Sequence, residues 1–445
     1  MTKKLTWEFF EYPILVSPKT GDTLSLNSGL GSHGGASAMG IFNGRLYAWF
    51  LGIPAKSNDV LVYSTEVWSS LDGISWGYDH TVPDKFMNFP AGASPPIDYG
   101  DHAIASAPRA QQMADGRMII PLISNYFGVG VLIWDGTTYT CPMPTEPGEP
   151  GGLLINQGDS LTALTPNATQ YQLLFGFPRP SRNEYIFGLW WVLGNPLLHV
   201  LSVNTDGVFA LQASNDPIFQ AYLISQNGAA IGSVFDPINE VCFLTPCYRT
   251  NGTTSAVYAN PPIGVTRDGL HFSTLTPPQP PYTAADLANN IAIWTLALFY
   301  DRKLLIAWIQ NSPNVNAVAS TAYGAAALVS GAWEVCDTPG YADIYNFPAG
   351  GISCAPCAMG ISSSNTASAM CAQNANAVLL AGRLFYFDPL AEDANGNFLY
   401  GALTAPADPL VTKVGYATTR NFVLNKRQMA YFQRLGMIRL IQEYL

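Results

Sequence analysis

Residues equipped for chemistry are few and scattered in this 445-residue chain. Cys242 with Cys247, and Cys354 with Cys357 in ISCAPCAMG, offer four thiolates, the number that holds zinc tetrahedrally. The first pair, however, encloses four residues, a proline among them, in an apolar run. Small buried core residues are the better reading, and no metal is expected. Asp101 and His102 adjoin, but no Gly-x-Ser-x-Gly elbow or phosphate loop accompanies them, so nucleophilic catalysis has no support. Trp190 and Trp191 are a pair that stacks on sugars when exposed. Adjacent strand residues point to opposite faces, though, so core packing accounts for both. No catalytic residue and no cofactor is assigned.

The elements that would position such residues repeat. A tight turn followed by a strand of large apolar residues recurs as NGRLYAWF from Asn43, DGRMIIPL from Asp115, DRKLLIAW from Asp301 and AGRLFYFD from Ala381. Weaker copies are NATQYQLLF from Asn167 and INEVCFL from Ile238. Each follows a stretch of small residues: 34–40, 103–109, 160–166, 227–233, 288–294 and 365–370. Downstream come SSLDGISW at Asp72, IWDGTTY at Asp135, VNTDGVF at Asp206 and VTRDGLHF at Asp268, with VSGAWEV (329–335) and DANGNFLY (393–400) as remnants.

Asp-Gly and Asn-Gly favour hairpin turns, because glycine accepts positive φ and Asp or Asn tolerates it. The pattern predicts an all-β fold, a β-propeller of four-stranded antiparallel blades, six-bladed, with a seventh blade built from the two ends as the alternative. Small inner strands would line the channel, and the near-continuous apolar strands would lie between neighbouring blades. The propeller is expected over 1–425, with 426–445 a short C-terminal extension that closes the ring or docks a partner.

The stretch SSLDGISW resembles the Asp box of sialidase-like propellers, through Ser70, Asp72, Gly73, Ser75 and Trp76, one residue short between the Asp and the aromatic. Asp206 with Gly207 and Phe209, and Asp268 with Gly269 and Phe272, are looser matches. The resemblance implies a structural role for Ser70, Asp72, Gly73, Trp76, Asp135, Asp206 and Asp268, fixing hairpins. The family's early Phe-Arg-Ile-Pro motif is absent, so none of its catalytic residues is carried over. Kelch-like propellers share the NGRLYAWF type of strand.

Residues opening the inner strands should ring one mouth of the channel: His33, Asp101, His102, Asp159, Asn227 and Asn365. Polar groups converging at a pocket are the default binding site, although Asx and His at loop–strand junctions also serve simply to satisfy backbone groups.

Charged residues are 12%, about half the roughly 25% usual in soluble domains. The net charge of −10 gives no footprint for a phosphate backbone, which excludes nucleic acid as a partner. The start of the chain does not read as a signal peptide, and no apolar run has the length of a spanning helix. The seven cysteines are an odd number, so at least one lacks a partner within the chain, and without export reduced thiols are expected. The sequons at Asn167 and Asn251 are then expected to carry no glycan. Few charges with many Asn, Thr, Gly and aromatic residues suit an exposed surface, yet no export signal is read. A virion protein reconciles these facts. The expectation is therefore a non-enzymatic binding or assembly module of a phage or virus: a tail nozzle, spike or receptor-binding component. Its partners would be other virion proteins or further copies of itself, with cell-surface glycan as a ligand. The alternatives are a propeller glycosidase or carbohydrate-binding protein, and a cytoplasmic kelch-type scaffold.

Overall fold

The structure is a computed structural model of the chain. It describes residues 6–26, 38–57, 60–82, 109–124, 128–140, 171–191, 198–218, 231–237, 239–246, 263–276, 293–300, 303–311, 320–329, 332–335, 377–395 and 397–404. All belong to the compact unit Met1–Thr404. The segment 426–445 lies outside the described residues.

In chain order, β1 (Thr6–Glu11) leads into a short hairpin of β2 (Leu15–Val16) and β3 (Thr23–Leu24). Blade I follows as β4 (Ala38–Phe42), β5 (Arg45–Ser57), β6 (Val60–Ser70) and β7 (Trp76–Val82). Blade II is β8 (Gln111–Gln112), β9 (Met118–Ser124), β10 (Gly128–Trp134) and β11 (Tyr139–Thr140). Blade III is β12 (Tyr171–Arg179), β13 (Glu184–Trp191), β14 (Leu198–Asn204) and β15 (Phe209–Ser214). Blade IV is β16 (Ile231–Asp236), β17 (Val241–Pro246), β18 (Ile263–Thr266) and β19 (Phe272–Leu275). Blade V is β20 (Ile293–Tyr300), β21 (Lys303–Asn311), β22 (Ser320–Val329) and β23 (Ala332–Val335). Last come β24 (Ala377–Leu380), β25 (Arg383–Glu392) and β26 (Phe398–Thr404).

The fold is an all-β propeller of four-stranded antiparallel blades. Five blades are continuous runs of four strands, where the repeats predict six. The sixth repeat forms a composite sheet, ordered β1-β26-β25-β24, whose outer strand comes from the start of the chain. The pairing runs in unbroken register from Thr6↔Thr404 to Glu11↔Leu399. The seventh-blade alternative thus loses its N-terminal strand to this sheet. Two expected turns move as well. In blade III the segment from Asn167 leads into the first strand, and the turn to the second is a 3-10 turn, Pro180–Arg182, ended by Asn183 at φ 54°. DANGNFLY joins the second and third strands of its sheet rather than the third and fourth.

First strands of neighbouring blades touch, β24 with β4, β4 with β8, β12 with β16 and β16 with β20, which makes them the inner edges. The expectation of small inner strands holds in β4 only at Ala38 and Gly40, beside Met39, Ile41 and Phe42; Gly40 lets blade II approach, since a Cβ there would lie 2.3 Å from the Ala110 carbonyl oxygen. It fails for β12, where Phe175 and Phe177 are fully buried. Room for Phe175 comes from the next strand, because a Cβ on Gly188 would fall 2.1 Å from its ring. Volume is conserved across the pair rather than within the inner strand.

The second strand is buried on both its faces, as β5 shows. On β5, Leu46, Ala48 and Phe50 pack with Val378, Leu380, Phe385, Phe387 and Tyr400 of the composite sheet. Tyr47 and Trp49, on the opposite face, pack with Met118, Ile120, Leu132 and Trp134 of blade II. The entry segment is anchored by a buried carboxylate: Ser17 Oγ donates to Glu66 Oε1 at 2.5 Å, and the Trp68 indole N–H lies 3.4 Å from Oε2.

Overpacking a filled core costs about 1–3 kcal/mol, so Gly188→Ala is expected to lower unfolding free energy by that much in urea titration. A methyl group added at Gly77, on β7, would meet no atom within 4 Å. Gly77→Ala should therefore stay within about 0.5 kcal/mol of the parent.

Candidate functional site

Strand direction sorts the connections onto two faces. First-to-second and third-to-fourth turns sit at one end of each blade, and blade-to-blade connections leave from the other. In SSLDGISW, the backbone N–H groups of Ile74 and Ser75 donate to Asp72 Oδ1 at 2.9 and 2.7 Å, and Ser75 Oγ donates to Oδ2 at 3.0 Å. Ser70 Oγ donates to Asp72 Oδ1 and accepts from the Gly73 N–H at 2.8 Å, with Gly73 at φ 77°. VTRDGLHF repeats the scheme: Leu270 and His271 N–H donate to Asp268 Oδ1, and Gly269 N–H donates to Thr266 Oγ1. At Asp135 the donors are the N–H and hydroxyl groups of Thr137 and Thr138. Asp206 differs. Asn204 Oδ1 takes the backbone donors of its turn, and Asp206 is left to bind Arg117 at 2.7 Å.

Electrostatics follow from these bonds. Burial alone would raise Asp72, but the Ser75 and Ile74 N–H groups and the Ser70 and Ser75 hydroxyls outweigh it and hold the carboxyl below 3.8. The Thr138 hydroxyl and N–H, with those of Thr137, hold Asp135 well below the ordinary range. Asp268 is lowered too: its bonds to His271 and Leu270 outweigh burial. The same contact raises His271 above 6.5, Nδ1 lying 2.7 Å from Asp268 Oδ2.

Turns of successive blades also grip one another. Asn43 N–H donates to Gln112 Oε1 and Gln112 Nε2 donates back to Asn43 Oδ1, joining blades I and II. Asp115 N–H donates to Asn183 Oδ1, and Arg117 bridges Asp115, Thr205 and Asp206, joining II and III. Ser181 donates its N–H and Oγ to the two carboxylate oxygens of Glu240, joining III and IV.

The other polar cluster sits at the seam of blades I and II. His80 Nδ1 lies 2.6 Å from Asp79 Oδ2, and Nε2 lies 2.6 Å from Tyr139 Oη. Trp49 Nε1 donates to Tyr139 Oη at 3.1 Å, and Ser69 Oγ, which accepts from Arg45, donates to Asp79 Oδ1. Asp79 Oδ2, an acceptor, takes the proton of Nδ1, which leaves Nε2 to accept the Tyr139 hydroxyl proton. The imidazole is then assigned as the Nδ1–H tautomer that donates to Asp79. The line of bonds resembles a proton relay, yet its end is closed. Tyr139 is buried and stacked on Trp134 at 5.7 Å, and burial raises its phenol far above neutrality, so no phenolate forms to act as a nucleophile. The cluster clamps two blades together.

Sequence reasoning missed this cluster, although Asp79 and His80 are adjacent. On a regular strand neighbours point to opposite faces. Here Val67 pairs with His80 and Trp68 with Tyr78, so Asp79 is the extra residue of a β-bulge and both side chains reach the same seam.

The proposed mouth residues His33, Asp101, His102, Asp159, Asn227 and Asn365 all lie outside the described residues, as do Cys247, Cys354 and Cys357. Cys242 is buried, and burial pushes its thiol up. Among the described residues no group of three or more His, Cys, Asp or Glu is placed to hold a metal ion, and no helix is long and apolar enough to cross a membrane.

No family model matches the sequence, and no curated protein matches it. Among solved structures, the phage phi92 endosialidase shares 10% identity at a TM-score of 0.43, over 95% of this chain and 71% of that one. A putative exo-beta-1,3-galactanase from Bifidobacterium bifidum s17 shares 9% at a TM-score of 0.36, over 76% and 98%. A glycoside hydrolase family 43 arabinoxylan arabinofuranohydrolase from Bacillus subtilis shares 15% at 0.33, over 64% of this chain, which spans 62% of that protein. Likenesses this distant carry no functional argument.

Two measurements check the electrostatic picture. Removing the hydroxyl in Tyr139→Phe strands the Trp49 N–H and His80 Nε2, and should cost about 1–3 kcal/mol in urea unfolding. The lowered carboxyls contribute stability above pH 3.8 that is lost as pH falls through their depressed folded values, whereas His271 contributes below 6.5 and loses its effect as pH rises through its raised value. The urea midpoint is expected to decline steeply on the acid side, less so in Asp135→Asn. The His271 resonances should titrate above 6.5 in the parent and return towards that value in Asp268→Asn.

Proposed function

We propose that this protein is a β-propeller of the Asp-box and kelch-like kind that binds carbohydrate without cleaving it. It would serve as a virion component, a tail nozzle, spike or receptor-binding protein, assembling with other virion proteins or with copies of itself through its loops and 426–445. One observation carries the reading: the two faces of the blades are unlike. The described turn-face connections are short and locked by Asp, Asn and Glu side chains. The blade-to-blade connections on the other face, 83–110, 141–170, 215–230, 276–292 and 336–376, are long. Long connections mounted on a rigid scaffold are where binding residues concentrate.

Composition supports a ligand held mainly by hydrogen bonds and stacking. In those five segments Lys85 and Arg109 are the only Lys or Arg side chains, amid Asn, Thr, Ser, Gly, Tyr and Phe. Hydroxyl-rich ligands suit amides, hydroxyls and aromatic faces better than ion pairs. The mouth residues His33, Asp101, His102, Asp159, Asn227 and Asn365 are proposed as the contacts.

A glycan array probed with the intact protein tests the reading. Retention of at least one glycan is expected, unchanged after prolonged incubation and weakened at least tenfold in Asp101→Asn with His102→Ala at unchanged thermal midpoint. Release of shortened product would replace the reading with a glycosidase. No retention at all, together with absence of the protein from purified particles by mass spectrometry, would remove it.

A further inference from the structure

The described residue whose chemistry is least satisfied is Arg109. Its backbone is pinned from two sides just before the inner strand of blade II. The Tyr185 phenol of blade III donates to its carbonyl oxygen at 2.8 Å, and the next residue, Ala110, donates its N–H to Met39 O of blade I at 2.8 Å. Gly40 keeps this junction tight, because any side chain there would strike the Ala110 carbonyl. The arginine is therefore fixed at the inner edge where three blades meet.

Among the described residues its charge has no partner. Nε is buried and has no hydrogen-bond acceptor, and among the described residues no carboxylate pairs with the guanidinium. The described arginines that form ion pairs show what is missing: Arg117 holds Asp115 and Asp206, Arg179 holds Glu184, and Arg383 holds Glu8. Protein surrounds the group closely enough for burial to lower its pKa. A buried cation without a partner is costly to maintain; Arg109 is only partly buried as a residue, and Nε is the one nitrogen of its side chain found both buried and unpartnered.

We propose that Arg109 is the anchor of an oxyanion site at the inner edge of blade II, taking a carboxylate or sulfate group of a ligand on the N–H groups of its two terminal nitrogens. Planar two-point recognition of an oxyanion is what a guanidinium does best. The carbohydrate reading is needed only to say that the anion belongs to an acidic sugar. The site itself is tested with simple anions, so its failure and a blank glycan array are separate results.

The experiment follows thermal unfolding of the intact protein with sodium glucuronate, sodium sulfate, glucose, or sodium chloride at matched ionic strength. Glucuronate or sulfate should raise the midpoint above the chloride control, glucose should not, and Arg109→Met should lose the rise. General salting effects of sulfate act on both proteins alike, so the difference between them is the readout. A rise with glucuronate alone assigns a carboxylate site, and a rise with both assigns a general oxyanion site. An equal rise in Arg109→Met, or none in the parent, overturns the proposal. Should Arg109→Met fail to fold, the Nε resonance of Arg109 in the parent decides: movement on adding the anion supports the site, and an unmoved resonance overturns it.

Discussion

The structure depends on covering both faces of each blade's second strand with a different neighbour. β5 shows it residue by residue: Leu46, Ala48 and Phe50 belong to the core shared with the composite sheet, Tyr47 and Trp49 to the core shared with blade II. Burying one large apolar side chain contributes about 1.5–3 kcal/mol, and here that gain is made only when two flanking blades are present. A blade at an open end would leave one face of its apolar strand wet. The composite sheet meets that constraint at the start of the ring, because its strands supply the face that blade I needs, and β1 in turn gives β26 its outer partner.

Close packing between blades leaves no slack, and glycine is where this shows. Gly40 and Gly188 sit where one blade's backbone or ring presses into another strand, so the missing Cβ is a packing requirement and not a turn requirement. Gly73 answers both demands, with φ at 77° and the Phe385 ring 2.6 Å from where a Cβ would stand. The third-to-fourth-strand turn of blade I is thus also a contact with the composite sheet, reinforced by Tyr400 Oη donating to the Gly73 carbonyl.

Local chemistry made much of this legible and long-range pairing made the rest invisible. Asn43–Gly44, Asp72–Gly73, Asp135–Gly136 and Asp268–Gly269 are readable because the turn's conformation is encoded in the turn. Blade III hid its first turn in Pro180–Asn183, where Asn183 takes the left-handed position without a glycine beside it, and the polar segment at Asn167 stood in its place. The composite sheet was out of reach of any periodicity, since Glu8 and Ala402 pair from opposite ends of the chain. Among candidate site residues, Asp206 had the right sequence and a different job, because Asn204 two residues earlier captured the turn's donors first.

The bulge at Asp79 shows why the chemistry-bearing residues resisted reading. Alternation puts Asp79 and His80 on opposite faces, and one unpaired residue brings them to the same seam beside Tyr139. Yet the contact that makes the cluster conspicuous also spends its reactivity. His80 has both nitrogens engaged, Tyr139 both donates and accepts, and Asp79 is held by Ser69 as well as by the imidazole. Arg109 is the opposite case, rigidly mounted by Tyr185 and Ala110 and left with a buried N–H that no described residue accepts. In a propeller whose turn-face polar groups are so consistently matched, an unmatched guanidinium at the inner edge points to a partner from outside the chain.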